Sequence, residues 1–319
     1  MKISVVMATY NGEKYIEEQL KSISLQTLLP DELLIIDDGS TDSTKKLIRD
    51  FSERSNFKVN LMERVDNKGS NKTFSTAVSS CIGDYVFLCD QDDSWDPKKI
   101  ELCYKALQVD GVSAVYHDAW LVDELGYSLD RSLWADLLLN NRLRHLLSSG
   151  GSDAFKILLN QNFFTGAALA FKKNKLERFY EVPEGWVHDA WYIFLLSQNG
   201  SIAFLSEKLL YYRQHSSNQI GIKKLGFIES LNLRTGLVLE VERLQSLINF
   251  INEADFEKFN YHKAVVLEKY NHQLLRLYPS GNLLYLFNDF LNGRYHRFSH
   301  GVTSFLKDIF YVLTKRVGF

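Results

Sequence analysis

Short apolar runs alternate with helical repeats through the first hundred residues. Ile3-Ser4-Val5-Val6-Met7 is too short for a helix and stops at Tyr10-Asn11-Gly12-Glu13, the pattern of a strand buried on both faces. From Glu13 onward Tyr15, Ile16, Leu20 and Ile23 recur at helical spacing. Leu33 to Ile36 predicts a second buried strand, ending at Asp37-Asp38-Gly39-Ser40. Thr41 or Asp42 can cap the next helix, whose inner face would be Leu47, Ile48 and Phe51. Val59 to Met62 and Tyr85 to Cys89 predict two more strands. Asp96-Pro97 then opens a helix with Ile100, Cys103 and Leu107 inside. This alternation predicts an α/β protein with a mostly parallel sheet flanked by helices. After about residue 220 turn signals thin out, and repeats such as Leu237, Val241, Leu244 and Ile248 predict a helical appendage over 221–319.

Ligands of parallel sheets bind beyond the carboxyl ends of the strands. Three such ends carry polar clusters here: Thr9-Tyr10-Asn11, Asp37-Asp38 and Asp90-Gln91-Asp92-Asp93. Three carboxylates within four residues repel one another unless a cation or hydrogen-bond donors compensate. Such oxygen ligands suit Mg²⁺ or Mn²⁺, whose shell phosphate oxygens complete. A carboxylate at Asp37-Asp38 can accept a nucleobase N–H, and Tyr10 can stack on a base, although a capped turn explains either cluster taken alone. In Gly185-Trp186-Val187-His188-Asp189-Ala190-Trp191 two tryptophans flank a His-Asp pair. A carboxylate in a partly desolvated pocket there would work as a general base, or simply open a helix. Arg213-Gln214-His215 offers a phosphate partner and a metal ligand, or a structural histidine after a strand.

Composition narrows the field. Thirty-seven basic against 39 acidic residues leave a formal charge of −2, so no whole-chain basic excess argues for nucleic acid or an anionic membrane. The three cysteines, Cys81, Cys89 and Cys103, show no CxxC spacing, which disfavours a disulfide scaffold or a structural zinc and suits a reducing cytoplasm. No P-loop, GxGxxG, GxSxG or HExxH motif is present. Neither a signal peptide nor a spanning segment is expected. The stripe Val302, Phe305, Leu306, Ile309, Phe310 and Leu313 predicts an amphipathic helix, with Lys307, Lys315, Arg316, Arg294, His296, Arg297 and His300 around it. Such a helix could dock peripherally on the inner membrane face, pack on the first domain, or join a second subunit in a homo-oligomer.

The order of these motifs resembles the family 2 inverting glycosyltransferases, over roughly residues 2 to 220. The run Ser4 to Gly12, then Gln26-Thr27, Asp37 to Asp42 and Asp90 to Asp93 carries the resemblance. Cys89 to Trp95, His188-Asp189-Ala190-Trp191 and Arg213-Gln214-His215 are similar to a rhamnosyltransferase-like branch that helps build bacterial surface polysaccharides, capsule among them.

The resemblance implies a nucleotide-sugar-binding GT-A fold in residues 1–220. It also implies a dTDP-rhamnose or UDP-sugar donor and a saccharide or lipid-linked acceptor. Asp38 would bind the base, with Ala8, Thr9, Tyr10, Asn11, Asp37 and Gly69 around it. Asp90 and Asp92 would form the metal-binding DxD element, His215 adding a contact. Asp189 would be the catalytic base, with His188 where relatives commonly carry glutamate. Gln91, Asp93, Trp95, Thr165, Gly166, Trp191 and Arg213 would line the sugar sites. Many relatives carry Ala-Arg-Asn after the third strand, whereas this chain has Gly69-Ser70-Asn71-Lys72-Thr73, with Lys72 the candidate for that arginine. Competing readings are a sugar nucleotidyltransferase, which should show a Gly- and basic-rich loop after the first strand, and an inactive sugar-binding subunit, which has no reason to keep Asp90, Asp92, Asp189 and His215.

Overall fold

The computed structural model describes residues 1–215, 233–253, 257–279 and 283–316, with backbone alone at 233–234, 257–261 and 314–316. The chain forms two compact units, Met1–Val182 with Val187–Lys223, and Pro183–Trp186 with Lys224–Phe319.

The first unit holds one sheet. Its strands are β1 (Ile3–Thr9), β2 (Glu32–Asp37), β3 (Lys58–Glu63), β4 (Tyr85–Cys89), β5 (Ser94–Trp95), β6 (Val112–Val122), β7 (Ser128–Ser132), β8 (Leu169–Lys172) and β9 (Ser201–Arg213). The helices are α1 (Ile16–Ser24), α2 (Thr44–Ser52), α3 (Ser70–Ser80), α4 (Lys99–Leu107), α5 (Leu133–Asp136), α6 (Asn141–Ser148), α7 (Gly151–Asn160) and α8 (His188–Gln198). Strand order is β3-β2-β1-β4-β8-β6-β9-β5, with β7 on β6. The first four strands pair in parallel. Beyond β4 the sheet is mixed: β8 runs antiparallel to both β4 and β6, whereas β6 and β9 are parallel. The parallel reading holds for β3-β2-β1-β4 and for the β6–β9 pair, with β8, β7 and β5 antiparallel to their neighbours.

Strand β1 lies between β2 and β4, so consecutive connections leave it on opposite sides. A crevice forms at the carboxyl ends where such a reversal occurs. The sheet center explains the apolar runs: Val5, Val6, Met7, Leu33, Ile35, Val86, Phe87 and Leu88 are fully buried, each side chain contributing about 1.5–3 kcal/mol. Ile16, Leu20 and Ile23 of α1 and Ile100, Cys103 and Leu107 of α4 cover the faces. Helix α2 starts two residues after Asp42, whose Oδ1 accepts the Thr44 N–H at 3.0 Å. Helix α4 likewise starts at Lys99, while the Asp96 carboxylate accepts the Lys98 N–H at 2.9 Å.

The second unit is helical: α9 (Leu233–Glu253), α10 (Glu257–Leu277), α11 (Leu283–Leu291), α12 (Arg294–Phe298) and α13 (Val302–Arg316). Leu286, Tyr295, Phe305 and Val312 form its buried cluster. Beside them runs a buried polar chain. His272 bonds Asp289 through Nδ1 at 2.5 Å and Ser299 Oγ through Nε2 at 2.8 Å. Arg276 Nε and the Tyr295 hydroxyl both donate to Asp308 Oδ2, at 2.7 and 2.9 Å. The stripe expected on α13 is split, because Phe305 and Ile309 pack inward while Val302, Leu306, Phe310 and Leu313 stay exposed. The Lys315 and Arg316 side chains lie outside the described residues. No described helix is long and apolar enough to cross a membrane.

Removing one member of a buried ion pair leaves its partner's charge uncompensated. Asp308→Ala is therefore expected to destabilise the helical unit by about 3–5 kcal/mol, measured as the urea midpoint followed by circular dichroism. A change below about 0.5 kcal/mol, the size of an ordinary surface substitution, contradicts a structural role for that network.

Candidate active site

All the sequence-predicted site residues fall in the first unit, at the carboxyl ends of β1, β2 and β4 and on the elements opposite. Asp38 follows β2, and its backbone N–H donates to Thr9 O at 2.8 Å. Its carboxylate accepts from Arg64 Nη1 at 3.0 Å and from the Lys68 and Gly69 N–H groups at 2.9 and 2.8 Å. A carboxylate has about four lone-pair sites, so three donors fix its orientation and leave room for one more N–H. Gly69 holds φ of +83°, a left-handed conformation glycine adopts without strain, and this aims the amide at Asp38.

The cation beside Asp38 is Arg64, which sequence reasoning missed. Its guanidinium also reaches Thr73 Oγ1 (3.0 Å), Thr76 Oγ1 (2.6 Å) and Lys72 O (3.2 Å). Lys72, the candidate for the relatives' arginine after the third strand, pairs with Glu181 at 3.0 Å, both side chains exposed. Arg64 follows the end of β3 directly, so the strand-end rule applied to the third strand would have found it.

Two neighbours are corrected as well. Asp37 is fully buried and accepts from Thr9 Oγ1 (3.0 Å), Ser40 N–H (2.9 Å) and Ser40 Oγ (2.6 Å). Thr9 and Asp37 thus brace the crevice floor and cannot face a nucleotide. Tyr10 is exposed and Ala8 half-buried at the rim, and Asn11 Oδ1 accepts the Thr41 N–H at 2.9 Å.

After β4 the acidic cluster splits by role. Gln91 grips the Tyr10 backbone, its Oε1 accepting from Tyr10 N–H (2.9 Å) and its Nε2 donating to Tyr10 O (3.1 Å). A Cβ at Gly12 would stand 2.3 Å from Gln91 Oε1, so this grip requires glycine there. Asp93 is fully buried, and its Oδ1 accepts the Arg213 N–H at 2.9 Å. Asp92 meets His215 Nε2 at 2.8 Å, and the imidazole stacks on Tyr15 with centroids 5.0 Å apart. Burial, then the charges of Asp92 and Asp189, push Asp90 up to about 7.

Arg213 is buried and clamped. It donates to Asp92 O (2.8 Å), Glu124 O (3.2 Å) and Glu18 Oε2 (2.7 Å). It organises the Asp92 loop where a sugar or phosphate contact was expected. Trp95 is also buried, under the Lys99 ammonium at 3.7 Å, and Lys99 in turn donates to Ala167 O at 2.5 Å. Trp191 is buried against Phe194. Neither indole presents a face to a sugar, which corrects both expectations.

Asp189 stands in the first turn of α8. Its Oδ1 accepts from Ala190 N–H (2.6 Å) and Asn162 Nδ2 (3.3 Å), and its Oδ2 from Gly166 N–H (3.2 Å). Burial raises it to about 6, against those donors, which favour the charged form. His188 turns away: its ring stacks on Phe74 at 4.1 Å, and burial lowers it to about 3. A Cβ at Gly166 would approach His188 Nε2 to 2.9 Å, so glycine lets that turn close over the helix. Thr165 is half-buried, its N–H held by the Tyr116 hydroxyl at 3.2 Å.

Among the described residues no three His, Cys, Asp or Glu side chains are grouped to hold a metal ion by themselves. Asp92 and His215 nonetheless present an oxygen and a nitrogen together. The charges of Asp92 and Asp189 oppose the ionisation of Asp90, a cost that a cation there would relieve. That donor set fits a divalent ion whose shell is completed by ligand oxygens.

Comparison with known proteins agrees with this architecture. An uncharacterised glycosyltransferase of Nostoc sp. is 28% identical over 222 residues, covering 68% of this chain and 66% of the relative. The dTDP-rhamnosyl transferase RfbG of Shigella flexneri is 24% identical over 238 residues, covering 70% and 79%. The chain spans 59–66% of the length of the first curated relatives it matches. The crystal structure of S. aureus TarS 1–349 with UDP-GlcNAc superposes with a TM-score of 0.56 at 19% identity, covering 86% of this chain and 73% of that one; the fold is of the GT-A type. The sequence model described as Glycosyl transferase family 2 matches residues 4–181, and the chain belongs to that family.

Proposed function

We propose that this protein is an inverting glycosyltransferase. It would move a sugar from a nucleoside diphosphate donor to a hydroxyl of a saccharide or lipid-linked acceptor in cell-surface polysaccharide synthesis. The observation that carries the reading is Asp189, a half-buried carboxylate held by Ala190, Asn162 and Gly166, raised to about 6 and felt electrostatically by Asp90 of the DxD element. The likeness to a dTDP-rhamnosyl transferase supports dTDP-rhamnose as donor, and the superposition on a UDP-GlcNAc complex supports a UDP-sugar as the alternative.

In this reading Asp38, fixed by Arg64, Lys68 and Gly69, accepts the base N–H, and Tyr10 packs at the rim. Asp92 and His215, with Asp90 beside them, would hold Mg²⁺ or Mn²⁺, which when bound neutralises a leaving diphosphate. Asp189 takes the proton of the acceptor hydroxyl as that oxygen attacks the anomeric carbon. The new oxygen–carbon bond forms on the face opposite the breaking bond to diphosphate, so one displacement inverts the center. No second catalytic carboxylate is needed, and His188, held neutral and stacked, cannot serve as the base near pH 7.

Asp189→Asn is expected to keep donor affinity and lower turnover by at least ~10²-fold, the scale for losing a general base. Initial rates beside calorimetric donor binding check this, and near-wild-type turnover would remove Asp189 from the role. The base works ionised, so activity should rise as pH climbs through about 6. Asn162→Leu deletes a donor to the carboxylate and should move that limb to higher pH; an unmoved or lowered limb would contradict the assignment. Proton NMR of the first product formed should show the anomeric configuration opposite to the donor's.

A further inference from the structure

Helices α11 and α13 of the second unit expose a row of large apolar side chains that its core does not use. On α13 Val302, Leu306 and Leu313 are 48%, 58% and 46% exposed, with Phe310 between them. On α11 Leu284, Phe287 and Leu291 are exposed, Leu291 at 81%. Their spacings of three and four residues put each set on one helix face. Phe287 of the α11 set meets the inward-packed Phe305 of α13 edge-on at 5.1 Å, so the two helices that carry the stripes are in contact. Folded proteins seldom expose contiguous apolar surface of this extent without a use for it.

Charge selects the occupant. Between residues 283 and 313 the acidic side chains are Asp289 and Asp308, and both are buried. Arg294, paired with Asp289 and Glu268, and Arg297, sharing Glu268, reach solvent, Lys307 is half-buried and adds the unit of positive charge left over, and His296 and His300 are exposed. The rim therefore carries a modest positive charge. An isologous contact with a second copy would bring these like charges together, whereas anionic headgroups would meet them with opposite sign.

We propose that the exposed face of α11 and α13 docks on an anionic lipid surface. Its leucines enter the headgroup–acyl boundary and its basic residues stay among the headgroups. The proposal goes beyond the transfer reaction and does not depend on which sugar is moved, since its readout is partition and not activity. It also places the enzyme where a lipid-linked acceptor would be presented.

The test is co-sedimentation of the full chain with vesicles of phosphatidylcholine mixed with phosphatidylglycerol, and with phosphatidylcholine alone. The chain should bind the anionic vesicles more strongly. Leu291→Glu/Leu306→Glu should lower that partition at least about tenfold with the melting temperature kept. If that variant fails to fold, Leu291→Ser/Leu306→Ser carries the same reading with a smaller loss. Binding to neither vesicle, or binding that these substitutions leave unchanged, overturns the proposal. So does a stable dimer, seen by light scattering without vesicle binding, that Leu306→Glu dissociates.

Discussion

One carboxylate governs this molecule, because two others oppose its charge. Asp90 follows a buried strand, Asp92 stands two residues on, Asp189 opens a helix from another part of the chain, and the charges of Asp92 and Asp189 add to burial in raising the cost of ionising Asp90. The surrounding structure restrains them. Gln91 ties the acidic loop to the end of β1, Arg213 holds the Asp92 backbone and the amide of Arg213 donates to one Asp93 oxygen. Three donors steady Asp189. Lys99 puts a buried positive charge beneath the cluster while pinning Ala167, next to the glycine whose N–H reaches Asp189. None of these contacts removes the repulsion. They preserve it in a fixed geometry, where a divalent cation would offset it.

The sheet was legible wherever burial is two-sided. Val5 to Met7, Leu33 to Ile36 and Val86 to Cys89 could only be inner strands, because a continuous apolar run too short for a helix has no other place to go. Legibility fell where one face meets solvent or where direction must be known. The antiparallel pairing of β8 with β4 and β6 depends on long connections, and no local pattern in Leu169–Lys172 records it.

In the site, the carboxylates were readable from their position after strands. What each one faces was not. Asp37 and Asp38 are adjacent, chemically identical and both buried, yet Asp37 is held by Thr9 and Ser40 while Asp38 is held by Arg64, Lys68 and Gly69. Trp95, Trp191 and Arg213 sit in motifs that look like ligand contacts, but packing buries them. Their contribution is to stiffen the backbone that carries Asp92 and Asp189. Arg64 escaped because the strand-end rule was applied to the polar clusters after β1, β2 and β4 and not to the half-exposed edge strand β3. In the helical unit the amphipathic repeat of α13 was visible, but which half of it faced inward was decided by Phe290, Tyr295 and Phe305.

The central claim is that the repulsion at Asp90, Asp92 and Asp189 is balanced by a divalent cation shared with the ligand's diphosphate. Electron paramagnetic resonance of Mn²⁺ titrated with the protein, with and without UDP or dTDP, measures this directly. The account predicts weak Mn²⁺ binding alone, marked tightening when the nucleoside diphosphate is present, and loss of that tightening in Asp92→Ala. Mn²⁺ binding that ignores the nucleotide, or that survives Asp92→Ala unchanged, would contradict it.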